Sequence, residues 1–275
     1  MHVSNILVSL QRVLENGSSV QICEGALISN YQFLTAAHCF DDNLPLQDMV
    51  ARINSPYQNK SGQLHGFAYV DIHPSYLHDR KTHNLRDDIA VVTLLNPLIA
   101  PVTWLALTQP NKLPEVASTM DVIGWDLASA AVTKQAAPPP PGTSTLRSQV
   151  LKTVVREPKS CAVLGKSFAT SPQACSSAPR SQAEVQWTGG PVVQYDFQTR
   201  EPRIVGIVSY WNSFGEDTFA FHTRLGSYLD WIAKMRQDRH VRPSPKSQFL
   251  GEPKGEACRK VVGVDWTGQY VSDPC

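Results

Sequence analysis

A histidine, an aspartate and a hydroxyl are the side chains of nucleophilic acyl transfer. The imidazole removes the hydroxyl proton, and the carboxylate fixes the imidazole tautomer and stabilises the imidazolium that forms. Three stretches offer these types in that order. Leu34-Thr35-Ala36-Ala37-His38-Cys39 carries the histidine, Asp87-Asp88-Ile89-Ala90-Val91-Val92 the carboxylates, and Gln186-Trp187-Thr188-Gly189-Gly190-Pro191 a hydroxyl.

The elements around these stretches are short and β-like. Residues 6–10, 26–34, 67–72, 88–95, 149–155, 191–195 and 203–210 are rich in branched and aromatic residues, which suits strands. Asn16-Gly17 is a hairpin signal because both residues tolerate positive φ. Val122-Ile123-Gly124-Trp125 reads as a strand followed by a tight turn. Residues 127–145 are small, polar and proline-rich, with Pro138 to Pro141 consecutive, which predicts a long, locally extended loop. Residues 227–236 switch to helical periodicity, with Leu229, Ile232 and Met235 on one stripe. Many short strands with one late helix predict an all-β fold of two antiparallel barrels.

The bulk properties set limits. The chain has 275 residues, of which 42% are apolar, and a net charge of +1. A real core is therefore available, and no strongly acidic, basic or nucleic-acid partner is implied. No apolar run reaches the roughly 18 residues of a membrane span. The six cysteines (Cys23, Cys39, Cys161, Cys175, Cys258 and Cys275) include no Cys-x-x-Cys pair. Disulfides in an oxidising compartment fit better than zinc. Sequons at Asn16 and Asn59 agree with a secreted, glycosylated protein. Met1 to Leu10 does not form a signal peptide, so an export signal is expected to have been removed or to lie outside the chain.

Taken together the three stretches resemble the catalytic segments of the trypsin/chymotrypsin-like serine proteases, over about 230 residues. In that family a cysteine some distance before the catalytic His-Cys pairs with that Cys, and Cys23 and Cys39 match. Cys161 and Cys175 match the pair bracketing the loop before the nucleophile. With partners assigned to those four, Cys258 and Cys275 are expected to pair with each other. Val122 to Trp125, Phe221-His222-Thr223-Arg224 and Tyr228-Leu229-Asp230-Trp231-Ile232 resemble the family's Gly-Trp turn, terminal strand and helix. The resemblance implies that His38 is the general base, Asp88 its orienting group and Thr188 the nucleophile position.

The resemblance also exposes departures. The family's loop is Gly-Asp-Ser-Gly-Gly-Pro, and here Gln186, Trp187 and Thr188 fill the first three places. The β-methyl of threonine stiffens χ1 and is expected to crowd the histidine; known threonine nucleophiles use a chain-terminal amine as base, and Thr188 is internal. Gln186 restricts the backbone where a glycine amide would join Thr188 in the oxyanion hole. Trp187 replaces the aspartate that would pair with a freshly cut Ile-Val-Gly-Gly terminus, and the chain contains no Ile-Val-Gly-Gly. At the substrate pocket, Gln182 takes the base position without a fixed charge. Ser209-Tyr210-Trp211 replaces Ser-Trp-Gly, so Trp211 is expected at the pocket mouth. The pocket disulfide is missing, with Glu184 at its first position.

Other features carry less. His73, His78 and His83 recur every five residues, but Pro74 breaks any helix there, and solvent-facing loop histidines are the better reading than a metal site. The basic cluster Arg236 to Lys246 reads as a solvated linker. Trp266-Thr267-Gly268 repeats only three residues of the nucleophile loop. Trp266 and Tyr270 either pack back on the barrel or form a recognition surface.

From sequence, then, the chain is an all-β protein with a trypsin-like domain at 1–236 and a C-terminal extension at 237–275. The first barrel spans about 1–118, the second about 119–226 and the helix 227–236. The leading expectation is a secreted pseudoprotease, catalytically inactive, binding a protein partner as an inhibitor or decoy of another hydrolase. No cofactor, metal, nucleic acid or membrane span is expected. Two alternatives stay open: a specialised endopeptidase using Thr188, and an extracellular structural or adhesive protein.

Overall fold

The computed structural model describes residues 6–42, 44–58, 60–79, 84–98, 102–125, 147–164, 172–180, 188–238, 262–264 and 270–272. Several sequence expectations lie outside these residues. They concern Asn59, His83, the loop 127–145, Gln182, Glu184, Gln186, Trp187, the basic cluster beyond Asp238, Cys258, Trp266 and Cys275.

The first sheet holds seven strands, β1 (Leu7–Val13), β2 (Ser19–Leu27), β3 (Gln32–Thr35), β4 (Met49–Ile53), β5 (Gln63–His65), β6 (Phe67–Ile72) and β9 (Ala90–Leu94), in the order β5-β4-β1-β2-β3-β9-β6. A small hairpin of β7 (Leu77–Asp79) and β8 (Asn84–Arg86) stands apart. The second sheet holds β10 (Ala106–Leu107), β11 (Thr119–Trp125), β12 (Ser148–Val155), β13 (Gln173–Pro179), β14 (Pro191–Tyr195), β15 (Pro202–Phe214) and β16 (Asp217–Arg224). Its order is β10-β15-β14-β11-β12-β13-β16, and pairing of β15 with β16 closes six of these strands into a barrel. Among the described residues all strand pairings are antiparallel except β10 with β15, which is parallel. A short helix α1 (Pro158–Leu164) follows β12, and α2 (Leu229–Asp238) follows β16. Two further short strands, β17 (Val262–Val264) and β18 (Tyr270–Ser272), form a hairpin. The expectation of an all-β, two-barrel architecture is met by one closed barrel and one curled sheet.

Period-two alternation explains how one strand serves two cores. In β1, Val8 and Leu10 face the interior of the first sheet with Phe33, Met49, Phe67 and Val92. Leu7 faces the other way, into a cluster with Ala26, Leu34, Val91, Ile123, Trp125 and Ile207. That second cluster joins the two sheets, and Leu225, Tyr228, Ile232 and Met235 bring α2 onto it. The run at 90–94 is apolar at nearly every position because both faces are covered. Met120, Val122, Leu151, Val192, Val208 and Ala220 fill the closed barrel.

Three local expectations need correction. The apolar run 26–34 is not one strand: the chain reverses at residues 28–31, where Ile28 and Ser29 donate to Gln32 O at 3.0 and 3.2 Å. Gly124 and Trp125 remain inside β11, paired with Gln149 and Ser148. Helix α1 was not foreseen, since seven residues give too little periodicity to separate from a loop. Asn16-Gly17 does turn the β1–β2 hairpin, with Gly17 at φ +77° and Asn16 Oδ1 accepting from Ser18 N–H at 3.0 Å.

Candidate active site

The site lies where the two sheets meet, and each side chain in it is fixed by its element. His38 sits in a single 3₁₀ turn, Ala37–Phe40, directly after β3. Cys39 in that turn is bonded to Cys23 on β2, and Cys161 on α1 is bonded to Cys175 on β13. Both pairings agree with the resemblance. Asp88 occupies the turn before β9, behind Asp87 at φ +48°. Thr188 immediately precedes Gly189, whose φ of +86° is a conformation that favours glycine.

These three residues form one line of hydrogen bonds. His38 Nδ1–H donates to Asp88 Oδ2 at 2.8 Å, and Thr188 Oγ1–H donates to His38 Nε2 at 2.8 Å. His38 N–H reaches Asp88 Oδ1 at 2.9 Å, so the aspartate holds both the backbone and the ring of the histidine. The carboxylate is fully buried and the imidazole is 20% exposed. The nucleophile loop is anchored through its backbone. Glu24 N–H donates to Thr188 O at 2.7 Å, Gly189 N–H to Val208 O at 2.7 Å, and Val208 N–H to Gly190 O at 2.9 Å.

The second barrel supports Asp88 from behind. Ser209 Oγ donates to Asp88 Oδ2, Thr223 Oγ1 donates to Asp88 O at 3.0 Å, and Tyr228 OH donates to Asp87 Oδ1 at 2.7 Å. Thr223 and Tyr228 belong to stretches singled out by the resemblance, but their side-chain roles were not read from sequence. A buried carboxylate without such donors would favour its neutral form. Here burial acts in that direction, but the charge and hydrogen bond of His38 and the Ser209 bond outweigh it and keep the Asp88 carboxyl below its ordinary range. Burial likewise disfavours the His38 imidazolium, yet the Asp88 charge and hydrogen bond, with help from Asp41, hold its pKa above the ordinary 6.5.

Asp41 belongs to a group that sequence reading missed. Its N–H donates to His38 O at 3.1 Å, and its carboxylate accepts Tyr76 OH at 3.0 Å and pairs with His78 Nδ1. His78 is therefore a paired residue beside the site. His73 packs edge-on against Tyr228 and Trp231 with ring centroids 5.1 and 5.0 Å away. The expectation of solvent-facing loop histidines fails at both positions, because the turn after β6 folds back against the 3₁₀ turn and α2. Among the described residues, Cys23, His38 and Cys39 are the one group close enough to suggest a metal. The Cys23–Cys39 disulfide takes up both sulfurs.

Of the pocket positions, Ser209 is used as above and is fully buried. Trp211 is partly buried, packs against the closed barrel's core and lies opposite Ala220 of β16. Tyr210 stacks on Phe221 with centroids 4.4 Å apart. Asn16 is exposed at its hairpin tip.

An aligned Asp–His–hydroxyl line at the junction of two β-sheets defines a protein of the serine-protease type. Comparison with known proteins agrees. The family described as Trypsin matches residues 4–232. Chymotrypsin-C of Mus musculus is 28% identical over 246 residues, covering 84% of this chain and 83% of its own. Hypodermin-A of Hypoderma lineatum is 27% identical over 206 residues, 74% of this chain and 71% of its own. Venom peptide isomerase heavy chain of Agelenopsis aperta is 25% identical over 240 residues, 83% and 93%. The chain belongs to the trypsin family.

That membership corrects the expectation of a catalytically inactive pseudoprotease. The family is described as Trypsin, and relatives such as chymotrypsin-C carry protease names, which points to an enzyme. The β-methyl of Thr188, expected to crowd the imidazole, leaves Oγ1 at ordinary hydrogen-bond distance from Nε2. Inactivity was inferred from the residue types of the nucleophile loop, the missing Ile-Val-Gly-Gly terminus and the altered pocket positions, and none of these removes a base, its orienting carboxylate or a hydroxyl.

Proposed function

We propose that this chain is a secreted endopeptidase that uses Thr188 as its nucleophile. The observation that carries the reading is the 2.8 Å contact of Thr188 Oγ1 with His38 Nε2, in line with the 2.8 Å contact of Nδ1 with Asp88. Apo structures often show such contacts longer than this. Thr188 Oγ1 attacks a peptide carbonyl carbon while its proton moves to His38 Nε2. The imidazolium, stabilised by Asp88, returns that proton to the departing amine nitrogen, leaving an ester on Thr188. Water, deprotonated by His38, then attacks the ester and releases the acid and the free hydroxyl. Two disulfides support an oxidising compartment. Among the described residues no helix is long and apolar enough to cross a membrane.

The binding role as inhibitor or decoy depended on an idle centre and is not carried forward. A fluorophosphonate probe tests the proposal directly. Mass spectrometry is expected to place the adduct on Thr188 in the wild-type chain and to find none in His38→Ala. Absence of labelling in the wild type, with folding confirmed, contradicts it.

A further inference from the structure

Glu24 is an uncommon residue to find inside an interface between sheets. It lies on β2 next to Cys23 and is 2% exposed. Its backbone touches the site twice: its N–H donates to Thr188 O at 2.7 Å, and its carbonyl accepts Thr35 Oγ1–H at 2.6 Å. Its side chain crosses to the second barrel, where Oε1 accepts Trp125 N–H at 2.7 Å. The carboxylate occupies a slot between two glycines that have no side chain to obstruct it. A Cβ on Gly124 would come within 2.5 and 2.8 Å of its oxygens, and a Cβ on Gly190 within 2.5 Å of Oε2. Gly190 is two residues after Thr188, and its carbonyl accepts Val208 N–H at 2.9 Å. A single side chain thus bridges β2, the Gly124-Trp125 end of β11 and the loop carrying the hydroxyl.

We propose that Glu24 is a positioning residue: its buried carboxylate, seated between Gly124 and Gly190 and bonded to Trp125 N–H, holds the Thr188 loop in register with His38. Nothing in the proton transfers requires Glu24, so it acts through Thr188 and not on substrate. A displacement of about an ångström at a nucleophile costs on the order of a hundredfold in rate. The buried Trp125 N–H also needs an acceptor. Glutamine keeps that acceptor at the same length, and alanine removes it and leaves a void.

The kinetic part of the test rests on Thr188 being the nucleophile, and the exchange part does not. Hydrogen exchange read by mass spectrometry on the full chain is compared for wild type, Glu24→Ala, Glu24→Gln and Gly124→Ala. Peptides covering the Gly189 and Val208 amides are expected to exchange about tenfold faster or more in Glu24→Ala, with β12 and β13 unchanged and Glu24→Gln near wild type. Gly124→Ala displaces the carboxylate without removing it and is expected to loosen the same amides, which decides the matter if Glu24→Ala does not fold. In peptide hydrolysis Glu24→Ala is expected to lower kcat by about tenfold to a hundredfold with KM within threefold. Unchanged exchange at Gly189 and Val208 in Glu24→Ala or Gly124→Ala overturns the proposal. So does equal acceleration throughout the chain, or a Glu24→Gln variant as loose as Glu24→Ala. A wild-type chain that hydrolyses nothing defeats the proposed function alone, while the exchange result still decides the role of Glu24.

Discussion

Thr188 Oγ1 and His38 Nε2 are 2.8 Å apart although 150 residues separate them in sequence. Each comes from a different sheet. His38 follows β3 of the first, and Thr188 leads into β14 of the second. The contact depends on how the sheets dock, and the backbone bond from Glu24 N–H to Thr188 O fixes that docking within one residue of the Cys23–Cys39 disulfide.

The β-methyl of Thr188 restricts χ1. Thr188→Ser keeps the hydroxyl and removes the methyl. It is expected to raise kcat toward peptide esters by about tenfold or more, since small misplacements of a nucleophile are costly. Steady-state kinetics on both chains check this, and a serine variant no faster than wild type would show that the methyl imposes no cost.

Asp88 fixes the tautomer of His38 through Nδ1. Asp88→Asn preserves shape, but with its carbonyl oxygen kept on His38 N–H its NH2 group faces Nδ1, donates to that nitrogen and favours the wrong tautomer. A loss of about ten thousandfold in kcat is expected, with the fold retained by circular dichroism. A loss below tenfold would show that Asp88 has only a packing role.

The pH dependence of kcat/KM follows from His38. The base must be neutral, and the Asp88 charge and hydrogen bond hold its pKa above 6.5 against burial. The acidic limb of the profile is therefore expected above pH 6.5, with rate rising as pH increases through it. Removing the Asp88 charge leaves burial unopposed by its main counterweight, so the limb moves to lower pH in Asp88→Asn. A limb that stays in place would assign it to another group.

Much of this was legible in sequence because the relevant patterns are local. Ala36-Ala37-His38-Cys39, Asp87-Asp88-Ile89-Ala90 and Thr188-Gly189-Gly190-Pro191 each keep their residue types within a few positions, and the two observed disulfides follow from family spacing. The links between them were not legible. Asp41 reaches His78 and Tyr76 across more than 30 residues, and Glu24 reaches Trp125 across 101. Neither contact leaves a periodic or short-range trace. The inference of inactivity likewise weighed Thr188, Gln186, Trp187 and the pocket positions by residue type, which does not give the distance of Thr188 Oγ1 from His38 Nε2.

His222 supplies a prediction about stability. It lies in β16, fully buried, and burial with the nearby Arg224 charge pushes its pKa down to about 3. The folded chain keeps it neutral, while the unfolded chain protonates it near pH 6.5. Its contribution is thus complete above pH 6.5 and falls as pH drops toward 3. Urea titrations across that range are expected to show a shallower decline in His222→Gln than in wild type. Parallel declines would contradict the assignment.

The central claim is that the hydroxyl at position 188 performs hydrolysis. The most direct measurement is kcat/KM for peptide cleavage by the purified wild-type chain and by Thr188→Ala, with cleavage sites read by mass spectrometry from a mixed peptide library. Cleavage by the wild type that falls at least a thousandfold in Thr188→Ala is the expected result. Cleavage that persists unchanged in Thr188→Ala, or a correctly folded wild type that cleaves nothing, would contradict it.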